Sequence, residues 1–338
     1  MYYLDKTASL RDIFGTPLVS VEPGSIRVGQ RSFPVVDDVI ILLEPAQRPA
    51  GLAARIAAAA GESGEPQAEP PRSAVFAGDI QFTFGEEWQR FPEVLPEHEA
   101  EFALYFDLVD IPSLATARVC DLGCGIGRWS HHLAGRCREL VLVDFSEAIF
   151  VARRNLGSAA NALYFMGDLR QLPFRDGFAD FLFSLGVLHH LPTPALDEVR
   201  ALGRLAPTLL IFLYYALDNR PRAWRLALAL VTRLRVAAAE IRGRRARSLI
   251  TWCALLLLYL PLIALGKILR PFGLARYVPL YDFYHDKSLA RIRQDVYDRF
   301  FTRIEQRYRR DEILALRDRF REVRVSEQLP YWHFLCRS

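Results

Sequence analysis

A short glycine-rich run carries the strongest signal for chemistry in this sequence of 338 residues. Residues 120–127 read CDLGCGIG, directly after an apolar stretch that predicts a strand and directly before a predicted helix. Glycines let the backbone turn sharply and approach a ligand closely, and the helix beyond them presents free N–H groups. The run therefore predicts a ligand-binding loop, although a lone glycine-rich loop is a weak signal.

Two carboxylates stand at the ends of the next two predicted strands. Asp144 lies about 20 residues beyond the loop, where an acid can accept hydrogen bonds from both hydroxyls of a ribose. Asp168 ends the third strand, where a carboxylate can accept a hydrogen bond from the exocyclic amine of adenine. Because open α/β sheets bind ligands beyond the carboxyl ends of their strands, these groups predict a nucleoside in one crevice.

The glycine spacing separates two classes of nucleoside cofactor. A nicotinamide-dependent oxidoreductase favours GxGxxG, which would need glycine at the position of Arg128. The observed pattern is GxGxG, preceded by Asp121. The sequence therefore disfavours a dinucleotide.

This pattern resembles motif I of the class I S-adenosylmethionine (SAM)-dependent methyltransferases. Two further segments resemble the methyltransferases of ubiquinone and menaquinone biosynthesis (methyltransferase type 11): GDLRQLPF at 167–174 and FSLGVLHHL at 183–191. The resemblance covers roughly 115–215 and the terminal strands. It implies SAM as cofactor, S-adenosylhomocysteine as its product and no metal. The cofactor-binding residues it implies are Asp121, Gly123, Cys124, Gly125, Gly127, Asp144, Phe145, Asp168, Leu169, Ser184 and Leu185.

The resemblance also implies a role for most of these residues. By this resemblance, Gly123, Gly125 and Gly127 contact the methionine end of SAM, and Asp144 contacts its ribose. Asp168 and Leu169 contact the adenine, and Ser184 and Leu185 contact the amino acid group. Two alternatives stay open for Asp121, which either braces the loop or contacts SAM. Cys124 is interpreted as a small filler of the loop.

Methyl transfer needs alignment more than acid–base help, because the sulfonium already activates the methyl group. A base is required only where the acceptor must lose a proton, and His189 and His190 are its candidates, with packing as the alternative role. Tyr281, Tyr284, His285 and Asp298 are candidate acceptor contacts, with a structural role as the alternative for each. The sequence has no Asn-Pro-Pro-Tyr-like run after the fourth strand, where enzymes that methylate the amino groups of nucleic acid bases carry one, and this disfavours an adenine or cytosine amine as acceptor.

Strands and helices alternate from 117 to 215, which indicates a parallel sheet covered on both faces. The predicted fold is therefore α/β, with a doubly wound, seven-stranded, Rossmann-like methyltransferase sheet. The predicted strands are 118–122, 140–145, 163–166, 181–185, 209–215, 323–325 and 332–336, and the predicted helices are 128–135, a helix ending near 156, 194–206, 289–308 and 311–320 with Asp311 as N-cap.

Four parts follow from shifts in composition. Residues 1–46 form a small β-rich unit that resembles a Trm112-like domain without its metal-binding cysteines, and 47–75 read as a flexible linker rich in Ala, Pro and Gly. Residues 76–215 and 289–338 form the methyltransferase domain, in which Phe84 and Trp88 either cap the SAM pocket or pack beneath the domain. Residues 216–288 form a helical insertion.

The insertion is basic and then apolar. Its arginines are followed by 17 residues without a charge, 249–265, which as a helix would span roughly 25 Å against about 30 Å for a bilayer core. We interpret the segment 220–270 as an element that lies in the membrane interface, with a buried lid and a true membrane span as the alternatives. Whether this apolar segment contacts the membrane or is buried as a lid, it suits an amphipathic acceptor, such as a quinone precursor or a lipid-linked glycan.

The net charge and the cysteine content limit which other functions and metal sites the sequence supports. A net charge of +4 does not by itself indicate nucleic acid, and five cysteines without a CxxC pair indicate reduced thiols and no structural zinc. We predict a cytoplasmic enzyme, peripheral at the inner face of the membrane, that methylates a small-molecule or lipid-like acceptor. The alternatives are a non-catalytic SAM-binding protein and an RNA methyltransferase that uses the arginine-rich insertion. The sequence leaves the oligomeric state open.

Overall fold

The computed structural model describes residues 1–49, 51–60, 78–157, 159–220, 222–241 and 243–338. Most of the predicted linker, from 61 onwards, lies outside the described residues. Its first part forms a helix, Leu52–Ala60.

One sheet of eleven strands runs through the chain. Its strands are β1 (Val19–Glu22), β2 (Ser25–Val28), β3 (Arg31–Val36), β4 (Val39–Ile41), β5 (Arg118–Leu122), β6 (Glu139–Asp144), β7 (Ala162–Met166), β8 (Phe181–Leu185), β9 (Thr208–Phe212), β10 (Glu322–Val325) and β11 (His333–Arg337). The spatial order is β1-β2-β3-β4-β7-β6-β5-β8-β9-β11-β10.

The seven strands from β7 to β10 form the predicted doubly wound sheet. Neighbouring strands from β7 to β9 pair in parallel, and β11 inserts antiparallel beside β9. Every residue of β5, β6, β7 and β8 is buried, as expected for parallel strands covered on both faces. The α/β fold class is confirmed. The order reverses at β5, so a crevice opens beyond the carboxyl ends of β5 and its neighbours.

The helices are α1 (Thr7–Phe14), α2 (Leu52–Ala60), α3 (Gly78–Arg90), α4 (Glu97–Tyr105), α5 (Ser130–Leu133), α6 (Ala148–Asn155), α7 (Ala195–Leu202), α8 (Arg222–Ala239), α9 (Arg244–Ala254), α10 (Leu260–Leu269), α11 (Tyr281–Tyr284), α12 (Leu289–Phe301) and α13 (Arg310–Leu314). Short 3₁₀ turns occupy Leu4–Lys6, Pro45–Gln47, Ile111–Leu114, Leu169–Gln171, Leu188–His190, Arg270–Phe272, Ala275–Tyr277 and Ala315–Asp318.

The N-terminal unit extends the central sheet. Its antiparallel strands β1 to β4 join the sheet where β4 pairs in parallel with β7. Helix α1 and strand β1 were not predicted. The buried guanidinium of Arg118 forms ion pairs with Asp12 of α1 and Glu139 of β6 and donates to the carbonyl of Phe178 at 2.7 Å. The unit is therefore tied to the core by polar contacts as well as by the sheet.

Four predicted helices are shorter in the structure: 128–135, 194–206, 289–308 and 311–320 end as Ser130–Leu133, Ala195–Leu202, Leu289–Phe301 and Arg310–Leu314. Helix α12 ends at Phe301 because Thr302 adopts an extended conformation, and the next segment bonds to the core instead. The amide of Gln306 donates to the carbonyl of His189 at 2.9 Å, and that of Tyr308 donates to the carbonyl of Tyr214 at 2.9 Å. The helix after it is capped by Arg309, whose amide donates to the side chain of Glu312 at 2.7 Å, so Asp311 is not its N-cap.

The insertion packs as a helical layer over the carboxyl end of the sheet. Helices α9 and α10 join through a π-helical turn, Leu255–Tyr259, directly before Pro261, where a widened turn accommodates a residue that lacks an amide hydrogen. Leu255, Tyr259 and Ile263 pack against α11 and α12. Among the described residues, the helix Arg245–Phe272 is long and apolar enough to cross a membrane, and 28% of its most apolar stretch is buried.

Candidate cofactor and acceptor sites

A continuous cavity of about 540 Å³ opens beyond the carboxyl ends of the central strands and continues beneath the insertion. Several of the predicted site residues line it, namely Gly123, Cys124, Gly125, Asp144, Phe145, Asp168, Leu169, Leu185 and His190. The fold thus brings residues from the ends of β5, β6, β7 and β8 to one cavity; the residues alone predicted this for the first three strands, and the family resemblance added the fourth. Their individual contacts with a cofactor remain predictions.

The glycine loop is shaped by backbone angles and by close packing. Gly123, Gly125 and Gly127 have φ values of +78°, +54° and +74°, which side chains of L-residues rarely adopt. A Cβ atom on Gly123 would lie 2.4 Å from a methyl group of Val187, so no side chain fits there. Gly127 does not line the cavity. A Cβ atom there would lie 2.6 Å from Leu156, which shows that this glycine allows close packing against α6.

Asp144 holds the loop in place. One carboxylate oxygen accepts from the amide of Gly125 at 2.9 Å, and the other accepts from the amide and hydroxyl of Ser146 at 2.8 and 2.7 Å. Burial raises the pKa of Asp144, while these hydrogen bonds act in the opposite direction. The side chain lines the cavity beside the loop, which fits the ribose contact that the sequence predicts.

Asp168 forms an ion pair that the sequence did not predict. Arg170 donates to it from its backbone amide at 3.0 Å and from its guanidinium at 2.7 Å. Both side chains line the cavity. The short turn Leu169–Gln171 places Leu169 on the same wall, which gives this end of the cavity an apolar surface beside a hydrogen-bonding edge.

Asp121 and Ser184 are buried behind the cavity wall. The hydroxyl of Ser184 donates to the carbonyl of Leu122 at 2.9 Å, and the hydroxyl of Ser130 donates to Asp121 at 2.7 Å. In this structure both side chains brace strands and loop, which for Asp121 corresponds to the first of the two predicted roles. Their contact with a cofactor remains a prediction.

Asp121 makes the stability of the ligand-free protein depend on pH. Burial raises its pKa to about 8, against 3.8 in a solvated chain. Between these two pKa values, the Asp121 carboxyl is ionised in the unfolded state and protonated in the folded state. The free energy of unfolding therefore falls as the pH rises through this range. We expect Asp121→Asn, relative to the natural protein, to gain about 1–3 kcal/mol of unfolding free energy between pH 4.5 and pH 8 in urea titrations. The matched variant Asp176→Asn changes an exposed carboxylate and should show no such trend; equal behaviour of the two variants would contradict the buried neutral form.

The two histidines differ in their surroundings. His190 lines the cavity, and its Nδ1 lies 2.8 Å from the carbonyl oxygen of Ile304. Because a carbonyl only accepts, Nδ1 carries the hydrogen and Nε2 keeps its lone pair. Among the described residues, Nε2 has no hydrogen-bond partner, and burial lowers the pKa of this imidazole. His189 is fully buried, stacks on Tyr214 at 3.9 Å between ring centroids, and does not line the cavity.

Of the four candidate acceptor residues, Tyr284 and Asp298 line the cavity, whereas Tyr281 and His285 do not. The ring of Tyr281 packs against Gly266 so closely that a Cβ atom there would lie 2.0 Å from it. His285 stacks on the same ring at 5.0 Å. Neither lines the cavity, and both belong to the internal packing of the insertion.

Aromatic side chains of α3 close the cavity on one side. Phe84 and Trp88 both line it, and the ring of Phe84 lies 5.4 Å from that of His190. Arg128 lies between Trp88 and Trp129, with its guanidinium 4.9 and 4.8 Å from their ring centroids. Of the two predicted positions for this segment, the structure has the one over the pocket.

Apart from Asp298, sequence reasoning missed the polar wall that α12 contributes. Arg291, Asp295, Asp298 and Arg299 all line the cavity, and their spacing of four, three and one residues places them on one side of a helix. That spacing could have predicted a charged surface on α12, because the helix carries these ionic residues beside its apolar face. Tyr214, directly beyond β9, was also missed.

The strand order, the glycine loop and the cavity at the point where that order reverses define a class I SAM-dependent methyltransferase domain. In agreement, residues 119–206 match the Methyltransf_25 family, described as a methyltransferase domain. The chain is 28% identical over 145 residues to a ubiquinone biosynthesis O-methyltransferase of Hahella chejuensis, covering 42% of this chain and 60% of that protein. It is 33% identical over 96 residues to a trans-aconitate 2-methyltransferase of Deinococcus radiodurans, covering 28% of this chain and 34% of that protein.

Solved structures are similar over part of the chain. One is phosphoethanolamine N-methyltransferase 1 of Haemonchus contortus, in complex with phosphoethanolamine and S-adenosylhomocysteine. It is 18% identical, the match covers 40% of this chain and 32% of that one, and the TM-score is 0.35. The chain spans less than two thirds of the length of the curated relatives described above.

Proposed function

We propose that this protein transfers the methyl group of SAM to a small, amphipathic acceptor. The observation that carries the proposal is the continuous cavity, which has the glycine loop at one end and a chamber beneath the insertion at the other. A cofactor and an acceptor can therefore meet inside it. The relatives are named for small-molecule acceptors, a ubiquinone precursor and trans-aconitate.

The residues of the loop end fit SAM. Gly123 and Gly125 carry no side chain, which leaves room for the methionine part of SAM. Asp144 is the proposed partner of the ribose, and Asp168 and Leu169 are the proposed partners of the adenine. SAM supplies a methyl group that its sulfonium already activates. The protein therefore has to hold the acceptor in line and keep water out, for which the aromatic cover of Phe84 and Trp88 is suited.

His190 is proposed as the base for a hydroxyl acceptor. Its Nδ1–H is held by the carbonyl of Ile304, and its Nε2 lone pair has no partner among the described side chains. When the acceptor oxygen bonds to the methyl carbon, its proton passes to Nε2. His189 serves as packing for Tyr214 and takes no part in this transfer.

The acceptor chamber has an apolar wall that comes from the insertion. Its residues there are Trp224, Leu228, Val231, Leu258, Leu262 and Phe283. This surface favours an acceptor with an apolar portion. Three arginines of the insertion are not available to RNA, because they form ion pairs inside the protein: Arg220 with Asp282, Arg235 with Glu305 and Arg247 with Glu86.

Labelled methyl transfer tests the proposal. Purified protein receives SAM with a tritiated methyl group and fractionated cell extract, and label is counted in the organic and aqueous phases. Label in the organic phase that disappears with Asp144→Ala supports an amphipathic acceptor. Label found only in the aqueous phase would contradict that acceptor class, and bound SAM without label in either phase would favour a non-catalytic protein.

We further propose that the insertion docks the protein peripherally on an anionic membrane surface. The helix Arg245–Phe272 exposes an apolar stripe at helical spacing: Leu249, Trp252, Leu256, Leu257, Leu265, Ile268 and Phe272. Exposed basic residues flank it, namely Arg245, Lys267, Arg270 and Arg276. No acidic residue occurs between 241 and 281, which makes the surface complementary to anionic headgroups.

The opposite side of the same helix favours docking over spanning. Leu255, Tyr259 and Ile263 are buried against α11 and α12, and Leu258 and Leu262 line the acceptor chamber. A helix held along the protein in this way lies in the interface with one face toward lipid. An apolar acceptor can then pass from the membrane into the chamber beside that helix.

We expect the double variant L256E/L257E to bind vesicles of phosphatidylcholine with phosphatidylglycerol at least about tenfold more weakly than the natural protein. Leu257 is 78% exposed, so the change removes apolar contact with lipid without disturbing the core. Flotation at two salt concentrations measures the binding, and higher salt should weaken it. Leu18→Glu changes an equally exposed leucine (68%) on the far N-terminal unit and is the control. Equal flotation of all three proteins would refute the docking surface.

A further inference from the structure

The charges around the cavity are nearly all paired. Seven arginines line it, and the carboxylates around it pair with five of them: Arg170 with Asp168, Arg220 with Asp282, Arg235 and Arg307 with Glu305, and Arg291 with Asp295 and Glu101. Among the described residues, Arg128 and Arg299 line the cavity without a carboxylate contact. Two guanidiniums therefore face the cavity without an ion pair, and Asp298 faces it without an arginine partner among the same residues.

Arg128 has an evident partner in the proposed cofactor. It directly follows Gly127 of the glycine loop, at the end of the cavity where the methionine part of SAM is expected. That part ends in a carboxylate. Arg299 lies on α12 and not on the glycine loop, and it is left for another anion.

Arg299 is held between two aromatic rings. Its guanidinium lies 5.8 Å from the ring centroid of Tyr214 and 5.7 Å from that of Tyr284. The neighbouring carboxylates have other partners. Asp295 receives Arg291 and the hydroxyl of Tyr284 at 2.7 Å, and Asp298 accepts from the hydroxyl of Tyr214 at 3.3 Å.

A guanidinium withdrawn from water is unfavourable unless an anion pairs with it. The rings beside Arg299 supply only part of that compensation, since a cation–π contact contributes about 0.5–2 kcal/mol. A planar fork of donors that faces a cavity suits a carboxylate or a phosphate, which it can bind through two parallel hydrogen bonds. Asp295 attracts Arg299 electrostatically but forms its ion pair with Arg291, so the guanidinium of Arg299 keeps its donors for an anionic group of a ligand.

The position of Arg299 connects this anion with the reaction. Tyr214, whose ring faces Arg299, lies edge-on to His190 with 5.5 Å between ring centroids. We propose that Arg299 binds an anionic group, a carboxylate or a phosphate, on the methyl acceptor. This proposal rests on the proposed function. It defines the acceptor as an amphipathic acid whose reacting hydroxyl lies near His190 and whose apolar portion lies along the insertion.

Three small probes test the site in protein saturated with S-adenosylhomocysteine, so that the cofactor end is occupied. Benzoate carries the carboxylate, phenyl phosphate carries the phosphate, and benzamide is the neutral analogue of the same shape. We expect one of the two anions to bind, measured by titration calorimetry, at least about tenfold more tightly than benzamide. The stronger anion identifies which group the acceptor carries.

The variants separate this site from the rest of the protein. Arg299→Gln should weaken the stronger anion by about tenfold or more and leave the affinity for S-adenosylhomocysteine unchanged, while Arg299→Lys should retain part of the anion binding. Arg317→Gln removes the same charge from the exposed surface and should change neither. Equal binding of benzamide and the anions, no anion binding, or an Arg299→Gln variant that loses only S-adenosylhomocysteine would overturn the proposal. Absence of S-adenosylhomocysteine binding by the natural protein would instead refute the proposed function.

Discussion

Gly123→Ala is expected to weaken SAM binding by about 100-fold, close to 2.7 kcal/mol. The added Cβ atom would lie 2.4 Å from a methyl group of Val187, and the backbone φ of +78° is already unfavourable for alanine. Relief requires either the loop or Val187 to move, and both line the cavity where the cofactor is proposed to bind. Equilibrium titration with SAM or S-adenosylhomocysteine measures the loss directly.

Gly135→Ala is the matched control for that variant. Its φ of +74° imposes the same backbone strain, but no atom lies within 4 Å of the added Cβ, and Gly135 does not line the cavity. Both variants should lose some stability, and only Gly123→Ala should lose SAM. If the two bind SAM with equal affinity, the glycine loop is not the cofactor cradle.

His190→Asn is expected to lower kcat by about 10²–10⁴ once the acceptor is known, with little change in SAM affinity. Asparagine can still donate to the carbonyl of Ile304, so the local structure is retained. Asparagine offers no basic nitrogen in place of Nε2, and therefore no group at this position can accept the proton of the acceptor hydroxyl. Single-turnover rates with labelled SAM separate this chemical step from binding.

The dependence of the methyl-transfer rate on pH distinguishes a base from a packing residue, because replacing a packing residue would not change that dependence. Burial lowers the pKa of His190 below its ordinary value of 6.5, so the imidazole stays in its basic form at neutral pH. The rate for the natural protein should therefore be flat above pH 7 and fall only in more acidic solution, as Nε2 takes up a proton. In His190→Asn this acid limb should vanish. A variant that retains the full rate and the same profile would remove His190 from the mechanism.

The sequence by itself determined the class of fold and the residues that gather at the loop end of the cavity. Strand periodicity, the glycines of 120–127 and the strand-terminal acids Asp144 and Asp168 are local features that lie close together along the chain. In a parallel sheet, the carboxyl ends of strands share one edge, and so local order along the chain becomes proximity in space. The observed strand order places these residues on one wall of the cavity.

Only the tertiary structure decided what forms the rest of the cavity. Helix α12 ends at Phe301 because the segment after it bonds to residues more than 90 positions earlier, such as Tyr214. The same long-range packing brings Arg299, Tyr214 and His190 together and sets the tautomer of His190 through Ile304. It also leaves one face of the helix Arg245–Phe272 exposed while the other lines the acceptor chamber. Propensity and spacing describe neighbours along the chain, whereas these contacts join distant segments, and so they depend on how the whole insertion packs over the sheet.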